Sequence, residues 1–279
     1  MSGPGLSHDG QQLALQALTR QAEGIWQAVY PLWPDFSVEV LPSIDSTNTA
    51  LMQRARAGDR SPTLLVALEQ SAGRGRRGKS WHSRPGASLT FSLGLPYQPA
   101  DWSGLSLAVG VSLADSLHPE LRLKWPNDLW WHGRKLGGIL IEAATLGAQR
   151  HAVIGIGLNV ELPELPAWSP ALLDEAAALA LPPVPPAALG ELDPGRDAGQ
   201  WLAALVPALV QDLQVFERAG FAAFAARFAA RDALAGLELR LSDGQEGLAA
   251  GVGPDGALRL QTAAGLVDIT SAEVSVRPR

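Results

Sequence analysis

The densest chemistry in this sequence is the run Ser71-Ala72-Gly73-Arg74-Gly75-Arg76-Arg77-Gly78-Lys79-Ser80-Trp81, which sets four cations among three glycines in a chain of formal net charge −6. Unpaired charge is too costly to bury, so these side chains face water or an anion. Glycine tolerates positive φ and lets backbone N–H groups come close to a ligand, while arginine offers a planar, permanently charged fork matched to phosphate or carboxylate. The natural ligand of such a run is a polyanion such as a nucleotide. Gly73 to Ser80 fits G-x-x-x-x-G-K-[ST] and Gly73 to Gly78 fits G-x-G-x-x-G, but both fingerprints need a helix directly after the loop. Here His82-Ser83-Arg84-Pro85-Gly86 leads into Ala87-Ser88-Leu89-Thr90-Phe91-Ser92-Leu93, which alternates like a strand. Both nucleotide-loop readings therefore fail.

Four other stretches carry polar chemistry at unusual places. Ser46-Thr47-Asn48 reads as the cap of a helix that ends at Gly58, yet a cap uses one such residue and leaves the others unexplained. Lys124-Trp125-Pro126-Asn127-Asp128 is a strand end turning sharply into polar groups; an Asx-type turn would account for Asn127 or Asp128 alone, with Lys124 a surface charge. In Arg134-Lys135-Leu136-Gly137-Gly138-Ile139-Leu140-Ile141-Glu142 a cation pair opens an apolar strand. Lys135 alone reads as a solvated terminal lysine, but glycines in mid-strand mark close approach of a ligand or another backbone. Gly155-Ile156-Gly157-Leu158-Asn159 repeats that pattern.

The elements that must position these residues follow from periodicity. Ala14, Leu18, Ala22, Ile25 and Val29 predict one helix, stopped by Pro31 and Pro34; a winged helix-turn-helix needs three helices over roughly 60 residues and finds no room before Ser46. Strands are expected at Ser37 to Leu41, Leu64 to Leu68, Ser88 to Leu95, Leu121 to Trp125, Leu136 to Glu142 and Val153 to Val160, with a helix marked by Leu105, Val109, Leu113 and Leu117. Hairpin-length gaps between the last three strands make much of the sheet antiparallel. Pro163 to Asp197 reads as a loose connection with one short helix around Pro170 to Leu179. Helices resume from Gly199 to Ala230, where Phe221, Phe224 and Phe228 read as core. Beyond Asp232, turn signals at Gly236, Asp243-Gly244, Gly251, Asp255-Gly256 and Gly265 predict a small β-barrel. The expected organisation is an N-terminal helix (1–36), a main domain (37–232) and a C-terminal domain (233–279).

Composition bounds the class of function. At 279 residues with 47% hydrophobic and 18% charged residues, the chain can build an ordinary core, and its acidity argues against broad nucleic-acid or anionic-membrane binding. Cysteine is absent and five histidines are scattered, so no thiolate metal site or zinc spacing is present. No apolar run approaches the roughly 18 residues of a membrane span, and no signal-peptide pattern opens the chain, so a cytoplasmic setting is expected.

Asp45-Ser46-Thr47-Asn48, the stretch Gln70 to Gly78, Lys124 to Asp128, Lys135 to Leu140 and Gly155 to Asn159 together, in this order, resemble the motifs of biotin protein ligases over roughly Val40 to Val160. Gly251 to Leu258 and Glu273 to Arg277 are similar to that family's C-terminal SH3-like domain, whereas the N-terminus resembles the type without a DNA-binding domain. The resemblance implies an α+β fold: a mixed, largely antiparallel sheet with helices, like class II aminoacyl-tRNA synthetases and biotin/lipoate transferases, plus a small SH3-like barrel. It implies ATP and biotin as substrates with Mg²⁺, biotinyl-5′-AMP as intermediate, and a biotin carboxyl carrier protein of acetyl-CoA carboxylase as acceptor. It also implies a homodimer that binds neither DNA nor membrane.

Position by position, the resemblance implies that Ser46, Thr47, Asn48 and Gln70 meet the ureido ring and its surroundings, and that Gly73, Arg74, Gly75 and Arg76 close over biotin with Trp81 nearby. Gly137, Gly138 and Gly155 would lie along the same pocket. Lys135 would stand between the biotin carboxylate and the α-phosphate, with Arg76, Lys79 and Asn127 near the phosphates. Asn159 and Trp168 would lie near adenine. Arg76, Lys135 and Asp128 would be catalytic, Asp128 by orienting an acceptor lysine, which at an ordinary pKa of ~10.4 is neutral only about four times in ten thousand at pH 7. No metal-ligating side chains are expected. Lipoate or octanoate attachment on the same scaffold, a non-catalytic biotin sensor and a nucleic-acid-binding module are the competing readings. Ser46, Thr47 and Gln70 speak against an alkyl or dithiolane ligand, which needs no such partners.

Overall fold

The helical spacing at the N-terminus folds as α1 (His8–Val29) in the computed structural model, with Ser7 Oγ accepting from Gly10 N as its cap. The structure describes residues 7–162, 185–270 and 276–278. The buried Leu18, Ile25 and Val29 of α1 pack on α4 (Ala198–Ala219) and toward strand β1 (Ser37–Ile44).

Six further strands join β1: β2 (Thr63–Gln70), β3 (Ser88–Pro96), β4 (Arg122–Lys124), β5 (Asp128–Trp131), β6 (Arg134–Leu146) and β7 (Gln149–Asn159). Their order is β1-β2-β3-β7-β6-β5-β4. β1 and β2 run parallel and the other neighbours antiparallel. A parallel pair requires a crossover, and α2 (Thr47–Arg56) supplies it, lying over β2, β3, β6 and β7. Side chains alternate accordingly. Leu64, Val66, Leu89, Phe91, Leu93, Ile154, Ile156 and Leu158 join the large core with α1, α3 (Leu105–Leu117) and α4, whereas Leu65 and Val153 join Leu51 and Met52 in a small cluster under α2. The α2 face is therefore thinly covered, and the site lies there.

After α4, Gly220 turns the chain at φ 63, and Phe221, Phe224 and Phe228 enter the core from a short turn and α5 (Ala225–Ala229), as read from their spacing. The strands β8 (Glu238–Leu241), β9 (Glu246–Val252), β10 (Leu258–Thr262), β11 (Gly265–Ile269) and β12 (Val276–Pro278) form a second, antiparallel sheet in the order β11-β10-β9-β8-β12. The fold is thus α+β, with a large mixed sheet and a small C-terminal antiparallel one.

The structure differs from the sequence expectation at β5. Four residues after a proline carry too little periodicity to announce a strand; pairing with β4 on one side and β6 on the other makes it one. The short helix expected around Pro170 to Leu179 lies outside the described residues. No helix among those described is long and apolar enough to cross a membrane.

Candidate active site

The floor of the site is the α2-side face of the central strands, where small and polar residues alternate with core side chains. Ser92 pairs with Gly155 and Thr90 with Gly157 across β3 and β7, and Gly138 pairs with Gly157 and Leu140 with Gly155 across β7 and β6. Stripping side chains from consecutive strands on one face leaves a shallow trough above a rigid sheet. The glycines do not all serve it in the same way. A Cβ on Gly138 would lie 3.5 Å from Asp128 Oδ1 and from Lys135 Nζ, an ordinary contact, so this glycine keeps space open beside those groups. A Cβ on Gly137 would instead meet Gly157 O and Leu158 Cδ2 at 2.5 Å, so its requirement comes from packing against β7.

A buried hydrogen-bond chain occupies one end of the trough. Ser46 caps α2, accepting from Thr49 N, which explains this residue and leaves Thr47 and Asn48 to other work. Gln70 Oε1 accepts from both Thr47 N (2.7 Å) and Thr47 Oγ1 (3.1 Å), and Thr47 Oγ1 lies 2.7 Å from Ser92 Oγ. Ser92 Oγ donates to Asn48 Oδ1 at 2.6 Å, while Asn48 Nδ2 donates to Leu140 O and to Glu142 Oε2. Glu142 Oε1 then receives Arg74 Nη1 at 3.0 Å. Ser83 Oγ accepts from Gln70 N, fixing the end of β2. Such a chain presents both donors and acceptors in a low-dielectric setting without a net charge at its centre. Ser92→Ala should cost about 1–3 kcal/mol of stability, because Thr47 and Asn48 would each lose a buried partner. Urea unfolding of the variant checks this, and an unchanged midpoint would remove Ser92 from the network.

The other end is cationic. The β5–β6 register shifts between Leu129, opposite Gly137, and Trp130, opposite Lys135, so Leu136 is an extra residue in β6. This bulge turns Lys135 onto the face of Gly138, where its Nζ meets Asp128 Oδ1 at 2.8 Å. The β4–β5 hairpin, with its cis Trp125–Pro126 peptide, presents Asn127 and Asp128 there. Asn127 Nδ2 donates to Ile139 O, Ile139 N donates to Asn127 O, and Arg76 Nη1 donates to Asn127 Oδ1 at 3.1 Å. Burial lowers the Arg76 pKa, with Asp128 opposing that shift and Arg77 adding to it. A guanidinium stays charged at neutral pH nonetheless.

The glycine- and arginine-rich run is the roof over these groups. It is a small hairpin: Trp81 N donates to Gly73 O, Gly75 N to Lys79 O, and Arg74 bridges Ser80, with one 3₁₀ turn over Arg76–Gly78 at the tip. The next regular element is β3, a strand rather than a helix. A Cβ on Gly73 would strike Trp81 O at 2.4 Å, so the hairpin neck requires glycine there. Trp81 lies along the trough, where a Cβ on Gly157 would meet its ring at 2.4 Å. Arg74 and Arg76 reach down to Glu142 and Asn127, while Lys79 is exposed at the tip.

Of the expected site residues, Thr47, Asn48, Gln70 and Arg74 thus form one connected group, and Arg76, Asn127, Asp128 and Lys135 form another. Gly155 adjoins Asn48, where its hypothetical Cβ would lie 2.1 Å from Oδ1. Asn159 ties β7 to the returning chain by donating to Ala187 O and Lys135 O, with Ala187 N donating to Lys135 O. Trp168 lies outside the described residues. Two contributors are not among the residues expected from sequence. Ser92, fully buried, had a signal in being a hydroxyl on the alternate face of an apolar strand; Glu142 ends the run that Arg134 opens, but its partners come from α2 and the roof.

Comparison with known proteins places the chain in a family. Residues 40–159 match the biotin/lipoate A/B protein ligase family, and residues 238–277 match the biotin protein ligase C terminal domain. The bifunctional ligase/repressor BirA of Escherichia coli is 33% identical over 254 residues, spanning 86% of this chain and 74% of its own. The biotin–[acetyl-CoA-carboxylase] ligase of Paracoccus denitrificans is 32% identical over 248 residues, spanning 84% and 98%. The structure of Aquifex aeolicus biotin protein ligase in complex with biotin and ATP superposes with a TM-score of 0.70 at 27% identity, covering 87% of this chain and 99% of that one. With its two domain matches, a full-length relative at this identity and the same fold, the chain belongs to the biotin protein ligase family.

Proposed function

We propose that this chain is an ATP-dependent biotin ligase of the biotin–[acetyl-CoA-carboxylase] type, which joins the biotin carboxylate to the α-phosphate of ATP with loss of pyrophosphate and then passes the biotinyl group to the side-chain amine of a carrier-domain lysine with release of AMP. The observation that carries this reading is the polarity of one trough. Its Thr47–Ser92–Asn48 end is neutral and rich in hydrogen bonds, suiting a cyclic urea, and its Arg76–Lys135 end is cationic, suiting a carboxylate and a phosphate. On this reading Ser46, Thr47, Asn48 and Gln70 surround the ureido ring. Arg74, Gly75, Arg76 and Trp81 cover biotin, and Lys79, Asn127 and Asn159 serve the nucleotide.

The Lys135–Asp128 pair gives the two half-reactions an order. With about a third of the Lys135 side chain exposed, the pair is held weakly, so an incoming carboxylate and α-phosphate compete with it successfully. When Lys135 turns to them, Asp128 becomes free to accept a hydrogen bond from the acceptor lysine. Asp128→Asn should therefore slow transfer from preformed biotinyl-AMP by about 10–100-fold while leaving biotin affinity within twofold. Single-turnover transfer measures this, and an unchanged rate would sink the role.

Among the described residues no three carboxylates or histidines converge on a point suited to a metal ion. In this reading Mg²⁺ arrives as part of the nucleotide substrate. The carrier protein of acetyl-CoA carboxylase as acceptor, a homodimer and a cytoplasmic setting belong to the same proposal. The deciding experiment is intact-mass analysis of a biotin carboxyl carrier domain after incubation with the protein, ATP, Mg²⁺ and either biotin or lipoate. Addition of one biotinyl group is expected; no addition, or addition of lipoyl alone, overturns the reading. Sedimentation with and without biotin and ATP reads the homodimer.

A further inference from the structure

We propose that Trp125 is a positioning residue through which the C-terminal sheet sets the place of Asn127 and Asp128; this rests on the ligase reading of the site. The β4–β5 hairpin is gripped from two sides. On the inside, Asn127 exchanges backbone and side-chain bonds with Ile139 of β6. On the outside, the grip comes from residues more than a hundred positions later in the chain. The Trp125 Nε1–H donates to Gly256 O at 3.0 Å, in the turn between β9 and β10, with the indole only 2% exposed.

Three features make that contact a fixed one. Gly256 has φ 78, and a Cβ there would lie 2.7 Å from the Cα of Gly104, the residue before α3, so the turn is inserted with no room to spare. The turn itself is closed by Gly253 N donating to Ala257 O and by Gly256 N donating to Gly253 O. The segment leading to the C-terminal sheet also lies along β4: Leu123 N donates to Arg231 O and Ala233 N to Leu123 O, a parallel bridge on the outer edge of the main sheet.

Along the chain, Asn127 is only two residues from Trp125, and Asp128 is one further. Loss of the indole N–H bond loosens the outer side of the hairpin beyond Leu123, which stays bonded to Arg231 and Ala233, while the inner side stays attached to β6, so the hairpin tip tilts rather than unfolds. A displacement of about 1 Å at positioned catalytic groups costs on the order of 100-fold in rate. The neutral end of the trough, built from α2, β2, β3 and the Leu140–Glu142 part of β6, takes no hydrogen bond from the hairpin and should be spared.

The test compares Trp125→Phe, Gly256→Ala and Tyr97→Phe in the full chain. Tyr97→Phe is the control because it also removes one buried side-chain donor, here to Leu213 O at 2.7 Å, away from the hairpin. For Trp125→Phe and Gly256→Ala we expect a fall of about 10–100-fold in the ATP-side kcat/KM of biotinyl-AMP synthesis, with biotin affinity in the absence of ATP within twofold of the parent. Tyr97→Phe should lose stability without this kinetic change. Equal kinetics for Trp125→Phe and Tyr97→Phe would overturn the inference, as would a parallel loss of biotin binding in Trp125→Phe, which marks a global defect. If the parent chain forms no biotinyl-AMP, the ligase reading falls and the inference falls with it; if the parent is active and Trp125→Phe matches it, only the inference falls.

Discussion

Lys135→Met should lower the rate of biotinyl-AMP formation by about 10²–10³-fold, the range seen when one preorganised charge-stabilising donor is removed. The reason is the meeting of two anions. At ~4 Å and an effective dielectric of ~20, a carboxylate approaching an α-phosphate is opposed by about 4 kcal/mol, equivalent to roughly a thousandfold in rate. Arg76 stands close but is committed to Asn127, and Arg74 is committed to Glu142 at the other end of the trough. Lys135 is the cation that the β6 bulge turns into the space beside Gly138. Methionine keeps most of the stem volume beside Gly138 and removes the charge. Biotin-dependent pyrophosphate release under single-turnover conditions gives the rate. A variant within threefold of the parent would show that Lys135 is not the neutralising group. The double variant with Asp128→Asn should be no slower in adenylation than Lys135→Met alone, because in the single variant Asp128 is already an unpaired negative charge beside the reacting anions.

Gly155→Ala should be nearly as damaging, by a different route. The added methyl would lie 2.1 Å from Asn48 Oδ1, and Asn48 cannot step aside cheaply, since it holds Ser92 Oγ, Leu140 O and Glu142 Oε2. Displacing it leaves several buried polar groups without partners at about 1–3 kcal/mol each, so stability should fall by about 3 kcal/mol. Biotin affinity should weaken by about 100-fold, because the neutral end of the trough is built on that side chain. Denaturant unfolding and titration calorimetry with biotin read the two effects. Gly24→Ala is the matched control: in α1 its Cβ would meet nothing within 4 Å, so the substitution should be neutral or stabilise by up to about 1 kcal/mol. If Gly155→Ala behaved like Gly24→Ala, the close packing of Asn48 on β7 would not matter to the site.

The chemistry of this protein was legible in the sequence wherever it depends on local physics. Four cations among three glycines in an acidic chain had to form a loop outside the core, and the alternation that begins at Ser88 required a strand there. The second sheet was legible from its turn glycines, such as Gly244 at φ 90, because positive φ is a property of a single residue. Less legible was why each glycine is glycine. Gly137 and Gly138 are neighbours in one motif, yet one is needed by the backbone of β7 and the other keeps space beside an ion pair, a difference set by which face of the sheet each occupies.

By itself, then, the sequence determined which charged residues could not enter the core and which turns were obligatory, because backbone sterics and desolvation act within a few residues. The tertiary structure decided the partners. It joined Gln70, Thr47, Ser92, Asn48, Glu142 and Arg74 from four separate stretches into one chain of hydrogen bonds, and it made Asp128–Trp131 a strand by supplying neighbours on both sides. It also turned Lys135 toward Asp128 through a one-residue bulge and rested Trp125 on Gly256, 131 residues away. A hydrogen bond or ion pair needs its groups within about 3 Å of each other, and the strand register that brings them there is fixed by which faces bury their apolar side chains, a property of the assembled sheet and of no single segment.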